Sequence, residues 1–286
     1  MVHFHWPCFM PMFIASSRSK VESCWKEYRD YMDSLHRFYQ WVITAPSLFE
    51  PRPPLDNLPA LPHHSLPLGE TYSGNPRLGF LYQYLCERWF EHSDDHQIVM
   101  TEEQINVDGR TLGEIDFIIQ DRSNHQFEHW EVAIKFYLLH GSHWYGPNSK
   151  DRLDIKLKRM IDHQLTMSQT ASFKQKYPQI SPISLHLLLQ GRLYVNPFID
   201  QDIPESCHGY ALNASQIQGK WCYENQWHLI AEPLYPLEKY QWATGATKLG
   251  EPIDKPTDRF VHVQTSSGEF WFVVPNHWPN EPKPRS

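Results

Sequence analysis

The sequence predicts an α/β fold in which a mixed sheet of about four core strands is flanked by helices. Two neighbouring segments, 113–120 and 129–138, alternate apolar and polar residues as half-buried strands do. An amphipathic helix over 150–176 follows them, and a buried strand over 183–191, which Gly191 is expected to end, comes next. Because strand–helix–strand units return to one sheet in parallel, we expect this last strand to enter through a helical crossover.

The chain before these strands is predicted to contain two helices joined by a proline-rich connector. Residues 21–45 carry apolar side chains at three- and four-residue spacings, which predict a helix that Pro46 ends. Seven prolines between residues 46 and 68 predict an extended connector. A second amphipathic helix is expected over 78–92.

A first strand of the sheet is expected over 97–107, and Asp108-Gly109 after it is a strong hairpin-turn signal. The last third of the chain is rich in Trp and Pro and contains one clear hairpin, RFVHVQ–TSSG–EFWFVV, at 259–274. Alternation in this hairpin favours a core role for its aromatic residues over stacking on nucleic-acid bases. A polar tail from Pro279 has the composition of a disordered segment.

These signals divide the chain into four parts. Residues 1–31 are interpreted as a non-native or disordered extension, on the hypothesis that the natural start is Met32. Residues 32–76 hold the N-terminal helix and connector, and 77–195 hold the core. Residues 196–286 are expected to form a β-rich C-terminal extension packed on that core.

Composition favours a globular protein of the cytoplasm. Hydrophobic residues make up 41% of the 286 residues, which is ample for a buried core. A net charge of −7 argues against nonspecific coating of DNA, so any nucleic-acid surface has to be local. Five scattered cysteines without a Cys-x-x-Cys motif predict reduced thiols rather than disulfides or a zinc site. No apolar run is long enough to cross a bilayer, and the N-terminus is a poor secretory signal.

The two acidic strands are expected to present charged side chains on one face. In 129–138, Glu131, Ala133 and Lys135 alternate with apolar residues that point into a core. In 113–120, Glu114 and Asp116 are expected opposite Ile115, Phe117 and Ile119. Charges in apolar strands cost free energy unless they are paired or bind a cation. Two interpretations therefore remain open: a salt-bridged sheet face, or a site for a hard metal such as Mg²⁺.

The helix over 150–176 carries seven basic residues against three aspartates. Lys156, Arg159 and His163 form a basic stripe beside the apolar one, which is typical either of a solvated face or of a surface that holds a nucleic-acid backbone. Gln164 lies close to the apolar side, where a buried amide needs a partner. It is expected either to cap the core or to reach the acidic strand face.

Several segments resemble a known superfamily in this order. The chain resembles the bacterial domain-of-unknown-function family 1853, which is usually grouped with the PD-(D/E)XK nucleases and their restriction-endonuclease-like core. The matching segments are APSLF (45–49), RLGFLYQYL (77–85), GEIDFIIQD (113–121), HWEVAIKFYL (129–138), GPNSKDRLDIKLKRMIDHQL (146–165) and FWFVVPNHWP (270–279). The order of elements predicted above is also that of the superfamily core.

The resemblance implies that Asp116 is the central metal ligand and Lys135 the catalytic lysine. The superfamily usually places its second acid two residues before that lysine, where this chain has Ala133. The nearest acid on that face is Glu131, and four residues of strand span about 13 Å instead of about 6.6 Å. The flanking helix, which often supplies an acid, has Gln83 at that point and Glu87 one turn later.

The leading hypothesis is a nuclease that depends on Mg²⁺ or Mn²⁺ and cleaves DNA, with RNA as the second choice of substrate. Its predicted site comprises the catalytic Lys135, Asp116 and Glu131, the metal ligands Asp116, Glu131 and Glu114, the supporting Gln83 and Gln164, and the nucleic-acid-binding Lys156 and Arg159. The alternative is an inactive nuclease-fold protein that binds nucleic acid or protein. A third hypothesis is a purely structural salt-bridged sheet. The sequence lacks a Gly-rich phosphate loop, His-Glu-x-x-His and Gly-x-Ser-x-Gly.

Overall fold

The computed structural model describes residues 18–59, 66–67, 70–254 and 259–280. Its helices are α1 (Arg18–Thr44), α2 (Leu78–Glu91), α3 (Leu153–Arg159) and α4 (Ala171–Lys176). Its strands are β1 (His96–Val107), β2 (Arg110–Asp121), β3 (Phe127–His140), β4 (His143–Tyr145), β5 (Ile183–Val195), β6 (Ser206–Cys207), β7 (Tyr210–Ala211), β8 (Ile217–Tyr223), β9 (Leu234–Pro236), β10 (Val261–Thr265) and β11 (Phe270–Val274). None of the described helices is both long enough and apolar enough to cross a membrane.

Within the described residues, one large mixed sheet dominates the fold. Its strand order is β1-β2-β3-β5-β8-β11-β10-β9, and β4 pairs with β3, which makes nine strands. The expectation of about four core strands was therefore too low. The β-rich C-terminal part continues the same sheet through β8, because β8 and β11 pair in parallel. The free edge of β5 presents unpaired N–H and C=O groups, and β8 pairs with them, so the sheet extends beyond the predicted core.

The predicted order of the core elements is confirmed. β1, β2 and β3 are antiparallel neighbours, and β5 joins β3 in parallel after the helical segment that follows β4. The β1–β2 turn has Asp108 and Gly109 at φ 49° and 76°, which is the left-handed geometry that the Asp-Gly signal predicts. The C-terminal hairpin also forms, between β10 and β11.

The helix predicted over 150–176 is broken. α3 is followed by a π-helical turn at Met160–Gln164, a 3₁₀ turn at Met167–Gln169 and then α4. Thr170 caps α4 by accepting the N–H of Phe173 with its side chain. The apolar spacing persists across these breaks, so periodicity alone predicts one helix. The interruption places Gln164 at the end of the π-helical turn.

Strand β5 is longer than predicted because Gly191 lies inside it. Gly191 pairs with Lys135 of β3 and has a φ of 148°. A Cβ atom there would lie 1.6 Å from the carbonyl oxygen of Lys135. The glycine therefore permits close approach of the two backbones rather than ending the strand.

The two faces of the sheet are covered by different parts of the chain. On the first face, α1 and α2 pack against Trp130, Val132 and Phe136 of β3. On the second face, α3 packs with the segment around Leu48–Phe49 against Tyr137 and Leu139. The alternation predicted for β3 is thus confirmed. The C-terminal aromatics Trp271, Phe272 and Trp278 are buried, as the core interpretation expects.

Candidate functional site

The candidate site lies where β2 and β3 stop pairing. Their ladder runs from Gln120↔Phe127 to Phe117↔Trp130 and ends there. At the next position the side chain of Asp116 enters the gap, and the Val132 N–H donates to its Oδ2 at 2.9 Å. A carboxylate therefore takes the place of a main-chain ladder acceptor, which leaves it at the point where the strands separate.

In the same region, the regular alternation of β2 side chains between the two faces of the sheet is interrupted. Phe117 and Ile119 pack with α1 and α2, whereas Ile115 packs with Ile118 in a separate cluster on the other side. The expectation that Ile115 shares a face with Phe117 was wrong. The adjoining β1 residue Glu102 has a φ of 49°, a left-handed conformation that is uncommon outside glycine. Irregular strand geometry of this kind clusters near functional sites.

Glu131 is fully buried on the second face of β3. Its Oε1 is 3.0 Å from Nε2 of His129 and accepts the Asp116 N–H at 3.3 Å. Its Oε2 accepts from Nε2 of Gln164 at 2.8 Å. Burial raises the pKa of Glu131 to about 8, although the hydrogen bond from the Asp116 N–H and the charge of Lys156 act in the opposite direction.

Asp116 and Glu131 form a coupled acidic pair. Burial raises the pKa of Asp116 well above its usual value, and repulsion from Glu131 adds to this shift. The Val132 N–H and the charge of Lys156 lower the same pKa in part. Two carboxyl groups that resist ionisation side by side are a common feature of catalytic and metal sites.

Lys156 is the cation that hydrogen bonds connect to this acidic pair. Its Nζ donates to Oε1 of Gln164 at 3.1 Å, so the amide of Gln164 bridges Lys156 to Glu131. Of the two alternatives for Gln164, the structure shows the one in which it reaches the acidic strand face. Burial lowers the pKa of Lys156, and the nearby charge of Lys135 lowers it further.

Lys135 lies on the same face of β3 but is held by another partner. Its Nζ is 2.6 Å from Oδ2 of Asp151, and Tyr137 donates its hydroxyl to Oδ1 of the same carboxylate at 3.1 Å. The Lys135–Asp151 pair is about one-third exposed. The charge of Lys135 reaches Lys156, and the charge of Lys156 acts on both carboxyl groups of the acidic pair.

The other predicted residues lie around this centre. Glu114 is exposed and its Oε2 accepts from Gln104 at 3.4 Å, although its charge raises the pKa of Glu131. Gln83 contacts Glu102 at 3.4 Å. Arg159 is exposed on α3. Across the described ranges, no three His, Cys, Asp or Glu side chains are already arranged as a metal-binding group.

Sequence reasoning missed three residues of the site. His129 binds Glu131, and its Nδ1 is 2.9 Å from the hydroxyl of Ser168. Its position two residues before Glu131 on the same strand was a usable signal. Asp151 and Ser168 carry no such signal in the sequence, because a loop and a 3₁₀ turn bring them to the strands.

The sequence model of the domain of unknown function DUF1853 matches residues 37–257, which is more than half of the chain. The chain belongs to the DUF1853 family. The matched DUF1853 range includes every residue of the candidate site and ends before β10 and β11. No curated protein and no solved structure matches the chain.

Proposed function

We propose that this DUF1853 protein is a metal-dependent phosphodiesterase that cleaves nucleic acid, with DNA as the main substrate and RNA as the second. The observation that carries the proposal is the pair formed by Asp116 and the buried Glu131 in the gap between β2 and β3, with Lys156 linked to it through Gln164 and Lys135 on the same face of β3. Hard oxygen donors next to ammonium groups are what phosphodiester hydrolysis requires. The same proposal includes a nuclease-like core fold and a location in the reducing cytoplasm.

The donor set fits a hard divalent cation. Burial and mutual repulsion raise the pKa of Asp116, and burial raises the pKa of Glu131, so a positive charge between them would compensate two costly carboxylates. Asp116 and Glu131 would hold the ion, and Glu114 would assist from the solvent side. When bound, Mg²⁺ or Mn²⁺ would supply Lewis-acid polarisation and would acidify a water molecule.

The residues of the chain would perform the remaining tasks. Gln164 would orient Glu131, since it is hydrogen-bonded to Oε2 in the resting site. Lys156 would balance the carboxylate charge and contact the phosphate, and Arg159 would hold the backbone from the exposed side of α3. Lys135 would leave Asp151 to stabilise the phosphate and to take up or release a proton, after which Asp151 would recapture it. Gln83 would position the β1 residue Glu102 beside the gap.

One observation favours the second candidate function, a nuclease-fold protein that binds nucleic acid or protein without cleaving it. Both oxygens of Glu131 are already hydrogen-bonded and its side chain is fully buried. Lys135 is likewise paired with Asp151, and Ala133 stands where the PD-(D/E)XK nucleases that the sequence resembles usually have an acid. In a protein that has lost catalysis, these hydrogen bonds and this ion pair would serve only to stabilise the fold.

The test is cleavage of end-labelled single- and double-stranded DNA and RNA in Mg²⁺, in Mn²⁺ and in EDTA. We expect cleavage only with metal, and its loss in Asp116→Asn and Glu131→Gln. Asp162→Asn, which alters an exposed carboxylate in the turn after α3, is the matched control and should remain active. Equal background rates in wild type and Asp116→Asn would reject catalysis.

Calorimetric titration with Mn²⁺ separates the two functions. Binding that disappears in Asp116→Asn supports the metal-dependent enzyme. Nucleic-acid binding without either metal binding or cleavage supports the binding protein.

A further inference from the structure

A second arrangement of reactive side chains lies on the first face of the sheet, away from Glu131. Ser184 and His186 are two residues apart on β5, so their side chains share a face. The Ser184 Oγ is 2.8 Å from Nε2 of His186, and Nδ1 of His186 is 3.0 Å from Oδ2 of Asp56. A hydroxyl, an imidazole and a carboxylate are thus connected in series.

The carboxylate arrives through main-chain pairing of the proline-rich connector with β5. The N–H of Leu187 donates to the carbonyl of Pro54 at 2.7 Å, and the N–H of Asp56 donates to the carbonyl of Leu187 at 3.0 Å. These two bonds fix Asp56 beside His186. The position of the acid is therefore set by the backbone rather than by a flexible surface contact.

The imidazole is held in place by an aromatic neighbour. The ring of His186 stacks on Trp130 with a centroid distance of 4.6 Å and an interplanar angle of 14°. A carboxylate at Nδ1 favours the tautomer that carries a proton there and leaves Nε2 free to accept the serine proton. The arrangement is recognised by these roles and distances, and it needs no Gly-x-Ser-x-Gly motif.

The main chain supplies a donor next to the serine. The Leu187 N–H points to the edge of β5 that faces away from β3, where it donates to the carbonyl of Pro54. Because N–H groups alternate between the two edges of a strand, the Leu185 N–H is directed to that same edge. The N–H of the residue after a nucleophile is a common donor to the oxyanion in acyl transfer.

A cavity of about 570 Å³ adjoins the histidine and the carboxylate of this series: Asp56, Trp130 and His186 line it, whereas Ser184 is exposed on the same strand and is not part of its wall. Three further carboxylates, those of Asp95, Asp121 and Glu128, also line it. Neither a lysine nor an arginine is among the described residues that form its wall. The cavity thus favours a ligand that carries positive charge.

We propose that Ser184, His186 and Asp56 form a second catalytic site that hydrolyses small cationic esters. The Ser184 Oγ attacks the ester carbonyl carbon while its proton passes to Nε2 of His186. The bond from that carbon to the alkoxy oxygen breaks, and the leaving alcohol takes the proton from His186. Water then attacks the carbonyl carbon of the acyl-serine and gives a proton to His186. The bond from that carbon to the Ser184 Oγ breaks, His186 returns the proton to Oγ, and the acid leaves. The site is independent of the nuclease proposal, since it uses the opposite face of the sheet.

The test is labelling of the full chain with a fluorophosphonate, which phosphonylates activated serines. We expect one phosphonyl group per chain by intact mass, located on Ser184 by peptide mapping. Because the mapping uses the wild-type chain, its result does not depend on whether a substituted chain folds. An unlabelled wild-type chain, or a label mapped to another serine, would overturn the proposal.

Variants and substrates sharpen this test. Labelling should be lost in Ser184→Ala and slowed at least about 100-fold in His186→Gln, by analogy with other general bases. Ser123→Ala is the matched control, because Ser123 lines the same cavity but bonds only to Asp121 in the described contacts. Wild type should hydrolyse acetylthiocholine faster than its uncharged carbon isostere. Equal rates for the two thioesters would refute the assigned substrate charge.

Discussion

The Asp116 N–H points at the carboxylate of Glu131, 3.3 Å from Oε1, while the Asp116 side chain accepts the N–H of Val132 at 2.9 Å. Each acid is therefore bound to the main chain of the strand that carries the other. The two carboxyl groups cannot separate without breaking these two hydrogen bonds between β2 and β3. This mutual attachment keeps them together in the absence of a cation and makes their ionisation costly.

The first prediction concerns pH and stability. The pKa of Glu131 is about 8 in the folded chain against a usual 4.5, so its stabilising contribution is present below pH 4.5 and is lost as pH rises through 8. The pKa of His129 is lowered to about 4 from 6.5, so its contribution is lost as pH falls below 6.5. The His129 effect is complete above pH 6.5, so the Glu131 effect dominates between pH 6.5 and 8, and the raised pKa of Asp116 acts in the same direction.

In that window the Glu131 effect alone should lower the free energy of unfolding in EDTA by up to about 1.4 kcal/mol per pH unit. Urea titrations of wild type and Glu131→Gln measure it, and the variant should show a flatter slope. Glu50→Gln changes an exposed carboxyl and should keep the wild-type slope. A wild-type stability that rises from pH 6.5 to 8 would contradict the prediction.

The second prediction concerns Lys135. Lys135→Met should cost less than about 1 kcal/mol of stability, because the ion pair with Asp151 is partly exposed to solvent. The cleavage rate should nevertheless fall at least about 100-fold, since an ammonium that stabilises the phosphate would be missing. Lys158→Met breaks the more exposed pair with Asp162 and should leave the rate unchanged. Full activity in Lys135→Met would identify a structural salt bridge.

The third prediction concerns the Gln164 bridge. Gln164→Leu removes the donor to Glu131 and the acceptor for Lys156, and should cost about 1–3 kcal/mol because buried polar atoms lose their partner. Thermal or urea unfolding measures this cost. Gln175→Leu, at an exposed position on α4, should cost less than about 0.5 kcal/mol. Equal effects of the two substitutions would show that the bridge is energetically unimportant.

The fourth prediction concerns the nucleic-acid surface. Arg159→Ala should weaken binding of duplex DNA and should reduce the slope of log K against log salt by about 1, since one phosphate contact is lost. Fluorescence anisotropy between 50 and 200 mM salt, roughly the range in which such contacts are screened, measures the slope. Lys174→Ala on α4 is the control and should leave the slope unchanged. A slope unaffected by Arg159→Ala would place the nucleic acid elsewhere.

The fifth prediction concerns the close approach of β3 and β5. Gly191→Ala should destabilise the chain by more than about 3 kcal/mol or prevent folding, because its Cβ would lie 1.6 Å from the Lys135 carbonyl oxygen. Gly79→Ala in α2 meets nothing within 4 Å and should be neutral or stabilising by up to about 1 kcal/mol. Soluble yield and unfolding midpoints compare them. A well-folded Gly191→Ala protein would contradict the register of this pair.

Local patterns were sufficient for the elements whose signal is contained in a few residues. Alternation identified β3 and its acidic face, and Asp108-Gly109 identified the β1–β2 turn, because side-chain direction and turn geometry depend on neighbouring residues. The same patterns failed at Ile115, where the ladder ends, and over Met160–Gln164, where the predicted helix becomes π-helical. Periodicity assumes regular geometry, and both sites depart from it.

The sequence by itself determined that carboxylates and a lysine lie in apolar strands, since that follows from the order of residues in β2 and β3. Tertiary structure alone decided which groups meet. Lys135 contacts Asp151, Lys156 reaches Glu131 through Gln164, and Ser184, His186 and Asp56 align across β5. These contacts join positions far apart in the chain, and they depend on how the backbone places each element, which no local pattern specifies.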